Sequence, residues 1–282
     1  MITVVSLSGG KDSVALWLWA RRVGMNPRAV YIDTRWEWEG HYTYLTSLEG
    51  LIGPFERIAA DETFAEITRR KKSFPSRVRK WCTEHLKIRP FRAWLDALRD
   101  ETGEDVRVLL GIRREESAKR ADPLQTPERE WSDVYDCEVL RPILSWTVAD
   151  VAAEHHLGGV PMHPLYHQGA ERVGCWPCVN AGKPELKLLG DLSPGRVSQI
   201  RDLETEMGAT MFVRDRRAEK RALIKSGTAE ADAGPSVVPL PIDQVIAWAN
   251  TGHGGKQITL FQPKTGCARW GVCETSNKTA GH

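Results

Sequence analysis

The sequence has no long apolar segment, and that absence excludes a first class of protein. None of its apolar runs approaches the roughly 20 residues needed to cross a bilayer, so we expect neither a transmembrane protein nor a membrane partner. The N-terminus is briefly apolar and then becomes polar and glycine-rich, unlike a secretory signal peptide. Without a membrane span or a signal peptide, the sequence predicts a cytoplasmic protein. Internal repeats are also absent.

The net charge is small as well, at +2, with 39 basic and 37 acidic residues. The basic residues are nevertheless concentrated in residues 69–92, where Glu84 is the one acid. The basic side chains of that segment are Arg69, Arg70, Lys71, Lys72, Arg77, Arg79, Lys80, Lys87, Arg89 and Arg92. A solvated helical face would explain them, but Phe74, Pro75 and Trp81 interrupt a simple helix. Contact with a nucleotide or a nucleic acid is the alternative explanation.

Alternating strand and helix patterns predict an α/β fold. Residues 2–7 (ITVVSL) are a β-branched run, residues 13–23 have the apolar positions of a helix, and residues 28–33 (RAVYID) are typical of a second strand. This strand–loop–helix–strand unit is the start of a parallel sheet. Further strands are expected at 55–58 and 106–111, and helices at 88–98 and 146–155. We therefore predict one domain over residues 1–180, with a parallel sheet flanked by helices.

The chain changes character after Cys178. Residues 184–225 are amphipathic and rich in Arg, Lys and Glu, which predicts one or two helices. Residues 226–241 (SGTAEADAGPSVVPLP) have the composition of a linker, and a short helix is expected near residues 242–250. We expect residues 181–282 to form a C-terminal helical region with this linker and a glycine-rich, cysteine-containing tail.

A glycine-rich loop follows the first strand and precedes the first helix, where an anion site is expected. It consists of Ser8, Gly9, Gly10, Lys11, Asp12 and Ser13. The two glycines allow a sharp turn that brings backbone N–H groups toward an anion, Lys11 adds a positive charge, and the serines add hydroxyl donors. Asp12 would either hold a magnesium ion or orient the loop. The spacing is not that of a Walker A loop, because Lys11 directly follows the glycine pair.

The loop sequence resembles the PP-loop of the ATP pyrophosphatase superfamily, whose members bind ATP or an adenylyl nucleotide and act at the α-phosphate. Four further segments, in the same order along residues 3 to about 180, resemble the phosphoadenylyl-sulfate reductase family. They are Trp81–Lys87 (WCTEHLK) followed by Pro90, Gly111–Ser117 (GIRREES) with Arg120, Arg141–Ile143 (RPI) with Trp146 and Asp150, and Pro164–His167 (PLYH) followed by Gly174–Cys178 (GCWPC). The resemblance implies that the protein has an adenine nucleotide alpha hydrolase-like fold and that it is an enzyme.

The loop and these segments supply the predicted site. The predicted nucleotide contacts are Ser8, Gly9, Gly10, Lys11, Asp12, Ser13, Asp33, Gly111 and Arg113. The predicted catalytic residues are Lys11, Asp12, Arg113 and Arg120. Arg113 and Arg120, about two helical turns apart, would present guanidinium groups to phosphate or sulfate oxygens. Asp33, at the end of the second strand, would bond a ribose or adenine; a helix N-cap or a surface salt bridge is its alternative role.

Six cysteines are present, and in a cytosolic protein disulfides are the less favoured use. Cys175 and Cys178 form a Cys-x-x-Cys pair whose sulfurs can reach one metal centre, and the resemblance makes Cys82 the third ligand. An all-cysteine set fits an iron–sulfur cluster or a zinc site, and the resemblance favours a [4Fe–4S] cluster over zinc. A buried, inert pair is the alternative. Cys137 lies between two acids, which would raise the pKa of its thiol.

The sequence departs from the family in three places. Thr83 follows Cys82 where cluster-bearing relatives have a second cysteine, so we expect Cys273 to be the fourth ligand, with Cys267 as second choice. The C-terminal Glu-Cys-Gly-Leu/Ile-His motif of the reductases is missing. Arg35 stands where the family commonly has glycine after the Asp-Thr pair, which indicates a reshaped nucleotide or partner pocket.

Three functions are compatible with these features. The first is an iron–sulfur oxidoreductase that reduces an adenylyl sulfur nucleotide, and the overall likeness to the family favours it. The second is an ATP-dependent sulfurtransferase that modifies DNA or RNA, similar to the phosphorothioation enzymes, and the basic segment and the missing tail motif favour it. The third is a non-catalytic nucleotide or nucleic-acid binding subunit, against which the intact Lys11, Asp12 and Arg113 argue. Either enzyme would require an electron-donor or sulfur-donor protein.

Overall fold

The computed structural model describes residues 1–76, 78–215, 217–230 and 235–252. The strands are β1 (Ile2–Ser6), β2 (Arg28–Asp33), β3 (Glu56–Ala59), β4 (Val106–Leu109), β5 (Arg129–Ser132), β6 (Cys137–Leu140), β7 (Phe212–Asp215) and β8 (Val237–Leu240). The α-helices are α1 (Lys11–Arg22), α2 (Glu39–Ile52), α3 (Phe64–Lys71), α4 (Trp81–Thr83), α5 (Arg89–Thr102), α6 (Ala118–Ala121), α7 (Val148–Leu157), α8 (Pro164–His167), α9 (Lys183–Leu192), α10 (Pro194–Met207), α11 (Arg217–Lys225) and α12 (Ile242–Ala249). A π-helical turn, Glu84–Ile88, joins α4 to α5, and a 3₁₀ turn, Arg114–Glu116, precedes α6.

Six strands form one sheet in the order β3-β2-β1-β4-β6-β5. All neighbours are parallel except β5, which is antiparallel to β6. Val4 of β1 lies opposite Arg28 of β2 and Val108 of β4. The strand order reverses direction between β1 and β4, and open parallel sheets bind ligands beyond the carboxyl ends of the strands at such a point. By this rule a ligand site is expected where the loops after β1 and β4 meet.

Helices cover both faces of this sheet. Neighbouring residues of a strand point to opposite faces, and Val4 and Val5 of β1 accordingly belong to two different buried clusters. Val5 packs with α1 and α2, in a cluster that includes Leu16 and Leu45. Val4 packs with α5, in a cluster that includes Phe91. Burial on both sides explains why the central strands read as β-branched runs rather than as alternating patterns.

The described chain divides into two compact units. The first contains Met1–Thr63 and Cys82–Trp176, and hence the whole six-stranded sheet. The second contains Phe64–Trp81 and the described residues from 177 to 252. Segment 64–81, which lies inside the predicted first domain, thus groups with the C-terminal helices.

The second unit is built from helices and a short two-stranded ribbon. In it α9, α10 and α12 pack together, and β7 pairs antiparallel with β8. The Glu204 carboxylate accepts the backbone N–H groups of Met211 and Ile242, each at 2.9 Å. These two bonds tie the end of α10 to the starts of the ribbon and of α12.

The structure confirms the predicted α/β fold with its parallel sheet, and it corrects the secondary structure elsewhere. The predicted linker 226–241 contains β8, whose partner β7 interrupts the predicted helical region 184–225. The β5–β6 hairpin was also not predicted. Each of these short strands is stabilised by its partner strand, an interaction that local composition does not reveal. Among the described residues, no helix combines the length and the apolar character needed to cross a membrane.

Candidate functional site

The glycine-rich loop closes on itself through its two serines. The Ser8 and Ser13 hydroxyl oxygens lie 3.0 Å apart, and the Ser13 hydroxyl donates to the Gly10 carbonyl at 3.0 Å. Gly9 has a φ of +72°, and a Cβ at this position would lie 2.8 Å from Cε1 of His41. Only glycine meets both conditions without strain. The local sequence therefore fixes the loop shape that the glycine pair predicts.

Lys11 and Asp12 form the first turn of α1, where backbone N–H groups and the helix dipole favour an anion. Both side chains are buried, and Lys11 Nζ lies 2.7 Å from Asp12 Oδ2. The Lys11 backbone N–H donates to the Tyr166 hydroxyl at 3.3 Å, and Lys11 Nζ lies 5.4 Å from the centre of the Tyr166 ring. Burial, with a smaller contribution from the Asp12 charge, raises the pKa of Tyr166 well above its ordinary value. Tyr166 is therefore a neutral donor and acceptor beside the loop.

Arg113 joins the loop after β4 to this turn. Its side chain is 2% exposed, and Nε donates to Asp12 Oδ1 at 2.5 Å. A second donor, Nη1, lies 2.7 Å from Glu115 Oε2. Burial by itself lowers the pKa of Arg113, but the carboxylates of Asp12, Glu115 and Glu116 outweigh it and raise the pKa above its ordinary value. Asp12 is thus bound by two cations, and this arrangement favours an orienting role over the predicted alternative of a magnesium ligand.

The loop after β4 also approaches α1 through its backbone. A Cβ on Gly111 would lie 2.8 Å from the backbone oxygen of Asp12 and 3.0 Å from Cα of Ser13. Glycine is therefore required for this close contact. Of the predicted site residues, Ser8 to Ser13, Gly111 and Arg113 are brought together at the topological reversal of the sheet.

Arg113 and Arg120 do not lie two turns apart on one helix. Ser117 has an extended backbone, φ −168° and ψ 157°, and separates the 3₁₀ turn from α6. The Ser117 hydroxyl caps α6, so the chain starts a new helix there. Arg120 forms an ion pair with Glu116, whose carboxylate accepts the Arg113 N–H at 2.8 Å. The predicted spacing of two helical turns between these arginines is wrong, and their presentation to phosphate or sulfate oxygens and the catalytic role of Arg120 stay predictions.

Asp33 ends β2 at the same edge of the sheet. Its Oδ1 accepts the Arg35 backbone N–H at 2.8 Å and the Tyr42 hydroxyl at 3.0 Å. Arg35 has a φ of +51°, a region that favours glycine. The position where the family commonly has glycine thus keeps a left-handed backbone in this chain. Contact of Asp33 with a ribose or adenine stays a prediction.

Three buried histidines lie beside the loop, and the sequence assigned none of them to the site. His155, in the last turn of α7, lies 2.8 Å from the Lys11 carbonyl and 2.9 Å from the Val160 carbonyl. His41 of α2 and His163 contact each other, with Nδ1 of His41 3.0 Å from Nε2 of His163. Only tertiary contacts reveal them, because none lies in a metal-type or catalytic spacing.

The predicted metal ligands are only partly described. Cys82, Cys175 and Cys178 are half-buried thiols, and Cys273 and its alternative Cys267 lie outside the described residues. The Thr34 hydroxyl lies 3.7 Å from Cys175 Sγ, and the Asn180 backbone N–H lies 3.5 Å from Cys178 Sγ. These thiols suit an iron–sulfur cluster chemically. Within the described ranges, however, no three His, Cys, Asp or Glu side chains are grouped to hold a metal ion.

Cys137 differs from the other described cysteines because it is buried in β6. Burial is the largest cause that raises the pKa of its thiol, and the neighbouring acids add to the effect. The predicted direction is confirmed, although burial rather than charge dominates it. Cys137 is therefore a protonated thiol that packs in the hydrophobic core.

The basic segment 69–92 is not one helix. Its described residues between α3 and α4 are non-helical, Arg79 and Lys80 are exposed, and Arg77 lies outside the described residues. Ion pairs within each unit join Arg69 to Glu206, Arg89 to Glu84 and Arg92 to Asp96. Several of the basic charges are thus balanced by acids, and nucleic-acid contact stays a prediction.

Known proteins resemble the chain to different extents. A family profile described as "Phosphoadenosine phosphosulfate reductase domain" matches residues 2–181. Over 334 aligned positions the chain is 29% identical to an uncharacterized 37.8 kDa protein in the gpa 5′ region of Escherichia phage 186, covering 97% of each. It is 37% identical over 75 residues to the adenosine 5′-phosphosulfate reductase of Allochromatium vinosum, covering 26% of this chain and 27% of that enzyme. A solved structure, phosphoadenylyl-sulfate (PAPS) reductase from Candida auris as a phosphate complex, is 17% identical with a TM-score of 0.47, over 62% of this chain and 82% of that one.

Proposed function

The chain belongs to the phosphoadenosine phosphosulfate reductase domain family, and on this premise we propose that it is an enzyme that binds ATP or an adenylyl sulfur nucleotide at the Ser8–Ser13 loop. The main support for this proposal is the pair of contacts that Asp12 makes. Asp12 binds both Lys11 and Arg113 at the point where the sheet reverses its strand order. Open α/β sheets bind ligands at such a point, where backbone N–H groups and a helix N-terminus can hold phosphates.

Each group has a defined task in this proposal. Backbone N–H groups of the loop and of the first turn of α1 bind the phosphate oxygens, except those of Ser8 and Lys11, which donate to Ser13 and Tyr166. Asp12 holds the ammonium of Lys11 and the guanidinium of Arg113 in place, so that little reorganisation is needed when charge develops on a phosphate or sulfur oxygen. The Tyr166 hydroxyl holds the same turn by accepting the Lys11 backbone N–H.

The reaction that we propose first is reduction of an adenylyl sulfur nucleotide, the activity that the name of the Allochromatium vinosum relative states for that enzyme. A second reaction is ATP-dependent sulfur modification of DNA or RNA. Exposed Arg79 and Lys80 in the basic segment favour this second reaction. Binding without turnover is the third case and would make the chain a nucleotide-binding subunit.

Assays on anaerobically prepared protein separate these cases. One reaction contains adenylyl sulfate with a thiol reductant and is followed by sulfite release. The other contains ATP with DNA or RNA and is followed by pyrophosphate release. We expect Lys11→Ala to lower whichever rate is observed on the order of 100-fold, whereas Lys187→Ala, on the exposed face of α9, should leave it unchanged. No turnover with any substrate would contradict the enzyme proposal.

We also propose Cys82, Cys175, Cys178 and Cys273 as ligands of a [4Fe–4S] cluster, with zinc as the lesser alternative. The cluster would supply electron transfer or sulfur handling when bound. Iron and sulfide analysis with a visible spectrum tests it. Cys175→Ser should remove the iron, and Cys137→Ser, which changes the buried thiol of β6, should retain it. A colourless zinc protein would contradict the cluster.

A further inference from the structure

Two buried histidines form a hydrogen-bonded pair next to the phosphate loop. His41 is 1% exposed and His163 is fully buried. Their rings are 5.1 Å apart between centres, and Nδ1 of His41 lies 3.0 Å from Nε2 of His163. One member of the pair must therefore donate and the other accept.

The backbone decides which member donates. The Leu165 N–H donates to Nδ1 of His163 at 3.1 Å, so the proton of a neutral His163 is on Nε2. That Nε2–H donates to Nδ1 of His41, which leaves the His41 proton on Nε2. Burial lowers the pKa of His41 to about 4 and that of His163 to about 3, and both rings are therefore neutral at pH 7. The chain of contacts from Leu165 fixes one tautomer for each ring.

The His41 Nε2–H at the end of this chain has no hydrogen-bond partner among the described residues. Its ring edge lies against the loop, because a Cβ on Gly9 would lie 2.8 Å from Cε1 and 3.6 Å from Nε2 of His41. Buried donors in proteins are almost always satisfied. A donor held in one tautomer at the edge of an anion-binding loop has a natural acceptor in the anion.

We propose that the His41 Nε2–H donates a hydrogen bond to a phosphate oxygen of the ligand bound by the Ser8–Ser13 loop. This inference rests on the proposed function. The proposed site then contains a neutral donor, His41, in addition to the charged ammonium of Lys11. The role of His163 is to position His41, because it touches the ring of His41 and holds its tautomer.

The test uses the full chain labelled with ¹⁵N-histidine and inorganic pyrophosphate as the probe. We expect the NMR spectrum at pH 7 to show His41 as the Nε2–H tautomer, and pyrophosphate to shift its Nε2 and Hε2 signals. His41→Phe should weaken pyrophosphate binding about 10-fold, as expected for one hydrogen bond to a charged group. His163→Phe should give a mixture of His41 tautomers and a smaller loss. His156→Phe, at an exposed position of α7, is the matched control and should bind normally.

The spectrum of the wild-type chain keeps the test informative even if a variant does not fold. If the Gly9 and Gly10 amides respond to pyrophosphate while His41 Nε2 does not, the proposal for His41 is wrong and the loop assignment stands. If wild-type protein does not bind pyrophosphate, both proposals are wrong. Tyr31, whose buried hydroxyl also lacks a partner among the described residues, lies with its ring 5.5 Å from that of His41. A response of Nε2 to Tyr31→Phe but not to pyrophosphate would assign the donor to an internal network instead.

Discussion

The Arg113 guanidinium and the Asp12 carboxylate lie 2.5 Å apart, and both are buried. This contact connects the loop after β4 to the first turn of α1 across 101 positions of sequence. It lies where the strand order of the sheet reverses. The two residues therefore couple the shape of the glycine-rich loop to the sheet that supports it.

Removing Asp12 should destabilise the fold. Asp12→Ala leaves two buried cations without their shared carboxylate, and breaking a buried pair in this way costs about 3–5 kcal/mol. Urea denaturation measures the change. The matched control is Asp243→Ala, which breaks the exposed pair with Arg201 and should cost at most about 1 kcal/mol. Equal effects of the two substitutions would contradict the structural role of the Asp12–Arg113 contact.

Gly111 should not tolerate a side chain. Gly111→Ala places a Cβ 2.8 Å from the backbone oxygen of Asp12, and since backbone atoms have little room to move, we expect a loss of about 1–3 kcal/mol together with weaker pyrophosphate binding. Gly50→Ala is the control, because Gly50 lies in α2 with nothing within 4 Å of the added Cβ. It should gain about 0.5–1 kcal/mol from helix propensity. Thermal melting and pyrophosphate titration of both variants measure these effects. A loss for Gly111→Ala alone indicates close packing at Gly111, whereas a loss for both indicates a general intolerance of substitution.

Glycine at position 35 should relieve backbone strain and so stabilise the fold relative to alanine. The φ of +51° at Arg35 is strained for a side-chain-bearing residue, and Arg35→Gly should be about 1 kcal/mol more stable than Arg35→Ala. The alanine variant serves as the reference, because it removes the same side chain and keeps the strain. If chemical denaturation gives the two variants equal stability, the left-handed backbone at this position is not a source of strain.

The histidine pair should make stability fall in mild acid. The pKa of His41 is about 4 and that of His163 about 3 in the folded chain, against an ordinary value of 6.5. Above pH 6.5 both rings are neutral in the folded and unfolded states, so the full stability is present. As the pH falls below 6.5, the unfolded chain takes up protons that the folded chain excludes, and the free energy of unfolding drops by at most about 1.4 kcal/mol per pH unit for each ring.

Urea denaturation of the wild-type chain between pH 5 and 7.5 checks this slope. His41→Gln removes one of the two rings and should reduce the slope by roughly half, whereas His156→Gln, at an exposed position, should retain it. A wild-type chain whose unfolding free energy does not change across this range would show that the buried rings are not held neutral.

Local sequence determined the phosphate loop and the strands around it. A β-branched run, two glycines and a lysine specify a strand, a turn and a helix start within about a dozen residues, and the structure has β1, the loop and α1 there. The predicted parallel order of β1 and β2 follows from the same unit, because a helix between two strands brings them side by side in parallel. The course of the backbone here follows from neighbouring residues, although side chains from distant segments pack around it.

Tertiary structure alone decided the long-range contacts around the loop, the break between Arg113 and Arg120, and the pairing of the short strands. His41 meets His163 across 122 positions and His155 meets Lys11 across 144, and no local pattern encodes such contacts. One extended residue, Ser117, separates Arg113 from Arg120, although their spacing fits a continuous helix. The short strands β7 and β8 exist only because each supplies the hydrogen bonds of the other. Local sequence therefore determined the course of the loop, while the packing of distant segments decided which side chains surround it, because buried polar groups take their partners from whatever the fold brings within hydrogen-bond distance.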